Sequence, residues 1–251
     1  MLIAVGAQCL FVVNNLKKLL IVKNVSRGGP GIISTVLAAK KVPFEVVDLS
    51  AGEAFPDPAA YCAVIVLGGP QSANDDTPKM RHQIMRIKEC LQKGIPFLGV
   101  CLGMQALVKA GGGWVMPARS QEIGWRDHEG RHYEIELTEA GSKDALFSAM
   151  PRSIKIFQLH GETVRLADGM SLLATARHCY YQVVKVGERA YGLQGHFELT
   201  PEMFSHWLAQ DELLKKHYPG HMRTDYSHIK NEYELNGRVM LANFLEIAGI
   251  A

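Results

Sequence analysis

The feature that most constrains the fold is a series of short apolar runs that alternate with helical segments. Four runs lack the polar alternation of a half-buried strand, and they occupy residues 19–23, 44–49, 61–67 and 95–100. Helical segments separate or follow them at 32–41, 78–93 and 102–110. Strands that are buried on both faces and joined by helices form parallel sheets, with crossovers that are almost always right-handed. The first hundred or so residues therefore predict an α/β fold with a doubly wound, mostly parallel sheet.

The second half of the chain has a different pattern, in which short strands are joined by turns. These strands are predicted at 132–138, 154–159, 171–176, 181–186 and 190–194, and they indicate a small antiparallel extension on the same domain. A helix with Pro201 at its first position follows over 201–216. A helical tail over about 226–248 is weakly broken at Gly237. With no repeat or linker, we expect one domain over 19–251, with a core to about 214 and a helical tail over about 215–251.

The composition limits the classes of partner and compartment. The 27 Lys and Arg residues nearly balance the 25 Asp and Glu residues, and the charges are well mixed. This balance gives no electrostatic reason to expect nucleic acid or a membrane as a partner. The five cysteines are odd in number and form no Cys-x-x-Cys pair, which favours a reducing compartment over a disulfide framework. We therefore expect a cytoplasmic protein.

Residues 1–18 precede the first predicted strand. The run from Met1 to Val13 is rather apolar, but it has neither a basic residue ahead of it nor a clear cleavage site. It is also shorter than the roughly 20 apolar residues that span a bilayer. We interpret residues 1–18 as an extension ahead of the domain. The alternative is an upstream stretch that is not translated in the cell.

A candidate nucleophile stands where the fourth predicted strand meets a helix, in the sequence Gly99-Val100-Cys101-Leu102-Gly103. Flanking glycines permit the tight turn of a nucleophile elbow, which lifts the central side chain out of the sheet. The free N–H groups and positive dipole end of the next helix favour a thiolate and can hold an oxyanion. The simpler alternative is a small buried cysteine that packs between glycines.

A base and its orienting partner are suggested by Gln194-Gly195-His196-Phe197-Glu198, just after a predicted strand. On an extended segment, His196 and Glu198 point to the same side, so the carboxylate can fix the imidazole tautomer. Gly68-Gly69-Pro70 ends another strand at the same edge of the sheet, where the N–H of Gly69 could be a second oxyanion donor. Taken alone, a His-x-Glu pair is more often just a polar strand end, and a simple strand-ending turn explains Gly68-Gly69-Pro70 equally well.

Five motifs occur together in a fixed order, and this order resembles that of the class I glutamine amidotransferases. The motifs are Leu67-Gly68-Gly69-Pro70, Gly99 to Gln105, Glu122-Ile123-Gly124-Trp125, His160-Gly161-Glu162 and Gly192 to Glu198. The chain looks most like stand-alone members related to the glutaminase domain of GMP synthase, over roughly residues 19–214. This resemblance implies a flavodoxin-like core, a Cys-His-Glu triad, and no metal or organic cofactor.

The resemblance also implies a role for each matching residue. Cys101 would be the nucleophile, His196 the acid and base, and Glu198 its orienting partner. The N–H groups of Gly69 and Leu102 would form the oxyanion hole. The substrate would be contacted by Gln105 and by the backbone at Gly161. Two positions depart from the family: Phe197 replaces the familiar proline of His-Pro-Glu, and Gly195 stands where an aromatic residue is common.

The implied activity is hydrolysis of the glutamine side-chain amide to glutamate and ammonia through a Cys101 thioester. Only some forty residues follow the amidotransferase part, so a separate synthetase subunit is the expected acceptor of the ammonia, if there is one. A second interpretation is a γ-glutamyl peptidase with the same triad, which needs an open pocket above Cys101. A third is a catalytically silent binding or regulatory module. The sequence does not predict the oligomeric state.

Overall fold

The computed structural model describes residues 17–217 and 219–250. The predicted N-terminal extension therefore lies outside the described residues, except for Lys17 and Lys18. The strands of the described part are β1 (Leu19–Lys23), β2 (Phe44–Asp48), β3 (Ala63–Val66), β4 (Phe97–Val100), β5 (Trp114–Gly124), β6 (Glu134–Leu137), β7 (Ser153–Lys155), β8 (Gln158–Arg165), β9 (Met170–Thr175), β10 (Val183–Val186) and β11 (Ala190–Leu193). Its α-helices are α1 (Ile32–Ala39), α2 (Pro78–Gln92), α3 (Leu102–Ala110), α4 (Glu139–Lys143), α5 (Pro201–Gln210), α6 (Glu212–Lys216) and α7 (Pro219–Ile247).

One large sheet organises the molecule, with the strand order β2-β1-β3-β4-β11-β10-β9-β6-β7. The first five strands in this order are parallel, and the remaining four continue the sheet in antiparallel fashion. A parallel 2-1-3-4-5 arrangement is the flavodoxin-like order, so the predicted fold class is confirmed. The antiparallel extension is larger than a single hairpin, because it adds four strands beyond β11.

Helices cover both faces of the sheet, as the uninterrupted apolar strands require. In β1, Leu19 and Ile21 belong to the core cluster that includes residues of α1, α5 and α7. Leu20 and Val22 belong to the opposite cluster, with residues of α2 and α3. Successive residues of β1 thus serve the two separate cores, and this is why the strand has no polar face.

The C-terminal helix α7 presents one apolar stripe to the core. Its buried hydrophobic residues follow the helical period. Met222, Tyr226, Ile229, Tyr233, Met240 and Phe244 are three, four or seven positions apart, and Leu241 and Leu245 follow directly after the last two. This spacing explains why a 29-residue helix forms here and packs against α1. Among the described residues, no helix is both long and apolar enough to cross a membrane.

Several predicted boundaries were wrong. The single helix predicted over 201–216 is two helices, because Asp211 is extended and caps α6 by accepting hydrogen bonds from the N–H groups of Leu213 and Leu214. The strand predicted over 154–159 is divided between β7 and β8. The helical tail begins at Pro219 and runs through Gly237 without a break.

The sequence also missed β5, an 11-residue strand that pairs with β8 in a separate two-stranded sheet. Pro117 lies within it, and the pairing register shifts between Pro117 and Glu122. A proline inside a run argues against a strand, and an irregular ribbon at the edge of the fold tolerates one. This ribbon carries Glu122 and His160 toward the carboxyl ends of the parallel strands.

Candidate active site

Cys101 lies at the turn between β4 and α3, in a backbone conformation that L-residues seldom adopt (φ 52°, ψ −109°). Its own N–H donates to the carbonyl oxygen of Leu193 on β11 at 2.7 Å, which anchors the turn to the neighbouring strand. A Cβ on Gly103 would collide with the carbonyl oxygen of Val66, so α3 can pack tightly on β3 only because this residue is glycine. The predicted elbow geometry is therefore present, with its strain at the cysteine.

His196 and Glu198 follow β11 and are almost inaccessible to solvent. Nδ1 of His196 lies 2.7 Å from Oε1 of Glu198. The second carboxylate oxygen accepts a hydrogen bond from the backbone N–H of Phe197 at 2.9 Å. An isolated antiparallel bridge to Phe157 holds the backbone of His196. The two side chains do lie on one side of an extended segment, and the carboxylate fixes the imidazole by its Nδ1 atom.

Gly68 lies beside both the thiol of Cys101 and the imidazole of His196. A Cβ on this glycine would lie 3.0 Å from Cε1 of His196 and 3.3 Å from Cβ of Cys101, so both side chains crowd the space that it leaves. Burial lowers the pKa of His196, but the charge of Glu198 and hydrogen bonds with Cys101 and Glu198 outweigh it and raise the pKa to about 10. The contacts with Glu198 and Cys101 therefore favour the charged form of the ring, which lies beside the sulfur.

The two residues predicted to supply oxyanion donors both lie beside Cys101. Leu102 is the first residue of α3, where N–H groups have no partner within the helix. Gly69 follows β3 and lines the same cavity as Cys101. A Cβ on Gly69 would lie 2.6 Å from Cβ of Asn24 and 2.8 Å from Oε1 of Gln71, so the strand-ending turn closes tightly at this glycine.

Gln105 lies within the site, and its side-chain amide already makes two hydrogen bonds with the protein. Its Nε2 atom donates to Oε1 of Gln194 at 3.3 Å and to the carbonyl oxygen of Glu162 at 3.4 Å. Gln194 in turn directs its own Nε2 at Sγ of Cys101, 3.8 Å away. Gly161 faces the side chain of Gln121, whose Nε2 would lie 3.1 Å from an added Cβ. Gln105 is thus linked to the nucleophile by two successive hydrogen bonds, with Gln194 between them. No role was assigned to Gln194 from the sequence.

A cavity with a volume of about 200 Å³ opens on the other side of the thiol. Cys101, His196 and Glu198 all line it. Its further walls come from the loop after β1 and from α5 and α6, with Arg27, Met203, Trp207, Asp211 and Leu213. Gln105 and Gly161 are not among the described residues that line it. The cavity therefore adjoins the thiol, the imidazole and Gly69, but it is not lined by either of the two predicted substrate contacts.

A buried polar network stands behind this site. Nε2 of His160 lies 2.8 Å from Oε2 of Glu122, and Nδ1 of His160 bonds the carbonyl oxygen of Glu162 at 3.0 Å. Gln182 donates to the same Glu122 oxygen and accepts from Gln158. Because Gln105 also bonds the Glu162 carbonyl, hydrogen bonds connect Glu122 with the sulfur of Cys101. The motifs around Glu122 and His160 had predicted the family but not this network.

One cluster of described residues has donor atoms close enough to hold a metal ion. It consists of Glu122, His160 and Cys179, whose donor atoms lie within 4.8 Å of one another. Their contacts have another explanation, because His160 already bonds Glu122 and the thiol of Cys179 pairs with the hydroxyl of Thr163 at 3.3 Å. Burial also raises the pKa of Cys179 to about 11, which disfavours the thiolate that a metal needs. We assign no metal here, and the absence of any cofactor stays a prediction.

Comparisons with known proteins agree with this geometry. A model of the family "Glutamine amidotransferase class-I" matches residues 32–216. The chain is 31% identical over 154 residues to a GMP synthase (glutamine-hydrolyzing) of Borrelia garinii subsp. bavariensis, covering 61% of this chain and 25% of that protein. It is 32% identical over 158 residues to a putative glutamine amidotransferase-like protein of Salmonella typhimurium, covering 61% of this chain and 63% of that protein. The chain thus spans about a quarter of the GMP synthase.

Solved structures share the whole architecture. A glutamine amidotransferase from Thermotoga maritima superposes with a TM-score of 0.81 and 28% identity, covering 91% of this chain and 98% of that one. A second, from Methylobacillus flagellatus, has a TM-score of 0.78 and 22% identity, covering 92% and 95% of the two chains, and it shows the shared fold alone. Because the family model matches well over half of the sequence, the chain belongs to the class-I glutamine amidotransferase family.

Proposed function

We propose that the chain hydrolyses the side-chain amide of glutamine through a thioester on Cys101. The observation that carries this proposal is the buried alignment of three groups around Gly68. The thiol stands on a strained elbow, the imidazole faces it, and the carboxylate of Glu198 holds the imidazole from behind. A nucleophile, a base and an orienting group in this order are the parts that acyl transfer needs.

In the proposed first half-reaction, the Cys101 sulfur forms a bond to the amide carbon while the carbonyl oxygen becomes an oxyanion. The N–H groups of Gly69 and Leu102 receive that charge. The C–N bond then breaks as His196 transfers its proton to the leaving nitrogen, so that ammonia departs and a thioester remains. His196 next accepts a proton from water, and the hydroxide attacks the thioester. The C–S bond then breaks to release glutamate, and Cys101 and His196 again share the one proton with which they began.

The fate of the ammonia is a second part of the proposal. Relatives named GMP synthase extend well beyond the part matched here, since the chain covers only about a quarter of their length. We propose that a synthetase subunit binds this chain in the cytoplasm and consumes the ammonia. A co-purified synthetase that couples glutamine hydrolysis to its own product would support this, whereas ammonia release at an unchanged rate with every synthetase tested would oppose it.

A second candidate activity has a specific observation in its favour, namely the cavity beside His196. The leaving nitrogen must face His196, and a cavity of about 200 Å³ that both His196 and Cys101 line opens there. A γ-glutamyl amide with a larger amine could be accommodated there, and this is the open pocket that a γ-glutamyl peptidase requires.

The test compares glutamate release from glutamine and from γ-glutamyl dipeptides by the purified full chain. Cys101→Ala should abolish both activities without changing the circular dichroism spectrum. Cys62→Ala is the matched control, because this thiol is half-buried and lies outside the cavity lining. Turnover that survives Cys101→Ala would overturn both enzymatic candidates. Absence of any turnover in the wild-type chain would favour the silent module, and faster release from dipeptides would favour the peptidase.

A further inference from the structure

The catalytic segment 196–199 lacks the proline that makes the usual His-Pro-Glu motif rigid. Phe197 stands in place of proline, and its N–H donates to Oε2 of Glu198 at 2.9 Å, a bond that proline cannot make. The carbonyl oxygen of Glu198 accepts from the N–H of Ile32 at 2.8 Å. The segment therefore depends on contacts with other parts of the chain for its position.

Helix α7 supplies two such contacts through one hydroxyl group. The hydroxyl of Tyr233 donates to the carbonyl oxygen of His196 at 2.9 Å and accepts from the N–H of Leu199 at 3.1 Å. It thereby spans the catalytic pair, with one bond at each end of the segment. Tyr233 is 2% exposed, and burial raises the pKa of its hydroxyl well above the ordinary value, so the group stays protonated across the working range of pH.

The backbone of α7 also contacts this segment directly. A Cβ on Gly237, one turn after Tyr233, would lie 2.5 Å from the carbonyl oxygen of Phe197. Helix α7 thus contacts the segment at three backbone groups, the carbonyl oxygens of His196 and Phe197 and the N–H of Leu199. The matched region of the family model ends at residue 216, before α7 begins. These contacts are additional to the matched core.

We infer that α7 holds the catalytic segment in register and that Tyr233 is a positioning residue for His196 and Glu198. The hydroxyl fixes the backbone on both sides of the pair. Nδ1 of His196 therefore keeps its hydrogen bond to Glu198, and the opposite edge of the imidazole stays directed at the sulfur of Cys101. This inference rests on the roles proposed above for His196 and Glu198. Tyr233 itself touches neither the sulfur nor the cavity.

Tyr233→Phe removes the hydroxyl while it keeps the ring in the core. Loss of alignment should lower kcat for glutamine by about tenfold and change KM by less than about twofold, because the bonds act on the reacting groups and not on substrate binding. The matched control is Tyr226→Phe. Tyr226 lies on the same helix, and among the described residues its hydroxyl bonds only Glu234, at 3.3 Å.

A second readout does not depend on the identity of the substrate. The rate of alkylation of Cys101 by iodoacetamide, followed by mass spectrometry of its peptide, reports how well His196 activates the sulfur as a nucleophile. It should fall by about threefold or more at pH 7 in Tyr233→Phe and stay unchanged in Tyr226→Phe. Thermal unfolding of both variants measures the loss of stability that is common to them.

The outcomes separate the two proposals. Slower alkylation and lower kcat in Tyr233→Phe alone would support the positioning role. Unchanged alkylation in Tyr233→Phe, or equal losses in Tyr226→Phe, would reduce α7 to a structural element and overturn the inference. If the wild-type chain hydrolyses neither glutamine nor γ-glutamyl dipeptides, the proposed function fails, and the alkylation rates still decide whether Tyr233 positions His196.

Discussion

Gly237 and Phe197 approach so closely that a Cβ on the glycine would lie 2.5 Å from the carbonyl oxygen of the phenylalanine. Real Cβ atoms do not reach this distance, so any larger residue must displace either the helix or the catalytic segment. The sequence had suggested a weak helix break at this glycine. Its actual role is to allow α7 to lie directly against the backbone between His196 and Glu198.

Gly237→Ala should therefore destabilise the protein, by about 1–3 kcal/mol, because relief of the clash requires backbone shifts in a packed core. It should also lower kcat, since Phe197 lies between the two catalytic residues. Gly220→Ala is the control, because no atom of the described residues lies within 4 Å of a Cβ at this other glycine of α7. That change should be neutral or stabilise by up to about 1 kcal/mol. Urea unfolding of both variants checks the difference, and equal effects would contradict it.

The pKa of His196 makes a prediction about stability and pH. The folded pKa of about 10 lies above the ordinary value of 6.5, so folding favours the imidazolium. The stabilising contribution of the charged ring is then full below about pH 6.5 and is lost as the pH rises through about 10. We expect the wild-type advantage in free energy of unfolding over Glu198→Gln to shrink progressively across this window.

Urea unfolding at a series of pH values measures that advantage. Glu198→Gln keeps the shape of the side chain and removes the charge that raises the pKa of His196. The same variant should lose kcat by about a hundredfold or more, since the base loses its orienting partner. Glu202→Gln, an equal change of charge on the exposed face of α5, should alter neither quantity. A pH-independent difference between wild type and Glu198→Gln would contradict the prediction.

Much of the site could be predicted because its parts are local in sequence. The elbow around Cys101 needs only a buried strand, two glycines and a helix start, and His196 and Glu198 need only an extended segment. The predicted bounds of β1 and α3 match the structure. Local propensities decide such elements, and they need no knowledge of distant contacts.

The contacts that complete the site could not be predicted in the same way. Gln194 reaches Cys101, and Tyr233 reaches His196, across separations of 93 and 37 residues. A buried tyrosine on an apolar helix face has the same sequence pattern as ordinary core packing. The division of the 201–216 helix depends on Asp211, which caps α6 and pairs with Arg27 from the loop after β1. Tertiary pairing of this kind overrides local helix propensity.

The strain at Cys101 predicts a conflict between stability and activity. A residue other than glycine at φ 52° and ψ −109° costs on the order of 1–3 kcal/mol. Cys101→Gly should relieve it, and the higher entropy of unfolded glycine offsets part of the gain, so we expect Cys101→Gly to be about 1 kcal/mol more stable than Cys101→Ala. Both variants should be inactive. Paired urea denaturation curves check the difference, and a more stable alanine variant would show that the elbow is not strained.

The buried contact between Glu122 and His160 predicts a large effect when one carboxylate is removed. Nδ1 of His160 lies 3.0 Å from the carbonyl oxygen of Glu162, and its Nε2 lies 2.8 Å from Oε2 of Glu122. Both side chains are 1% exposed, so neither group can turn to water for a new partner. Glu122→Ala would leave His160 and the amide of Gln182 without their shared acceptor.

We therefore expect Glu122→Ala to cost about 3–5 kcal/mol in free energy of unfolding. Glu122→Gln should cost less, because its amide can donate to a neutral imidazole in the same position. Activity should fall in both variants. His160 and Gln105 share the carbonyl oxygen of Glu162 as a hydrogen-bond partner. Gln105 in turn bonds Gln194, whose amide is directed at the sulfur of Cys101. Glu134→Ala, at a solvent-exposed position of β6, is the control and should change stability by less than about 0.5 kcal/mol. If Glu122→Ala were tolerated as well as this control, the buried network would have no part in holding the site together.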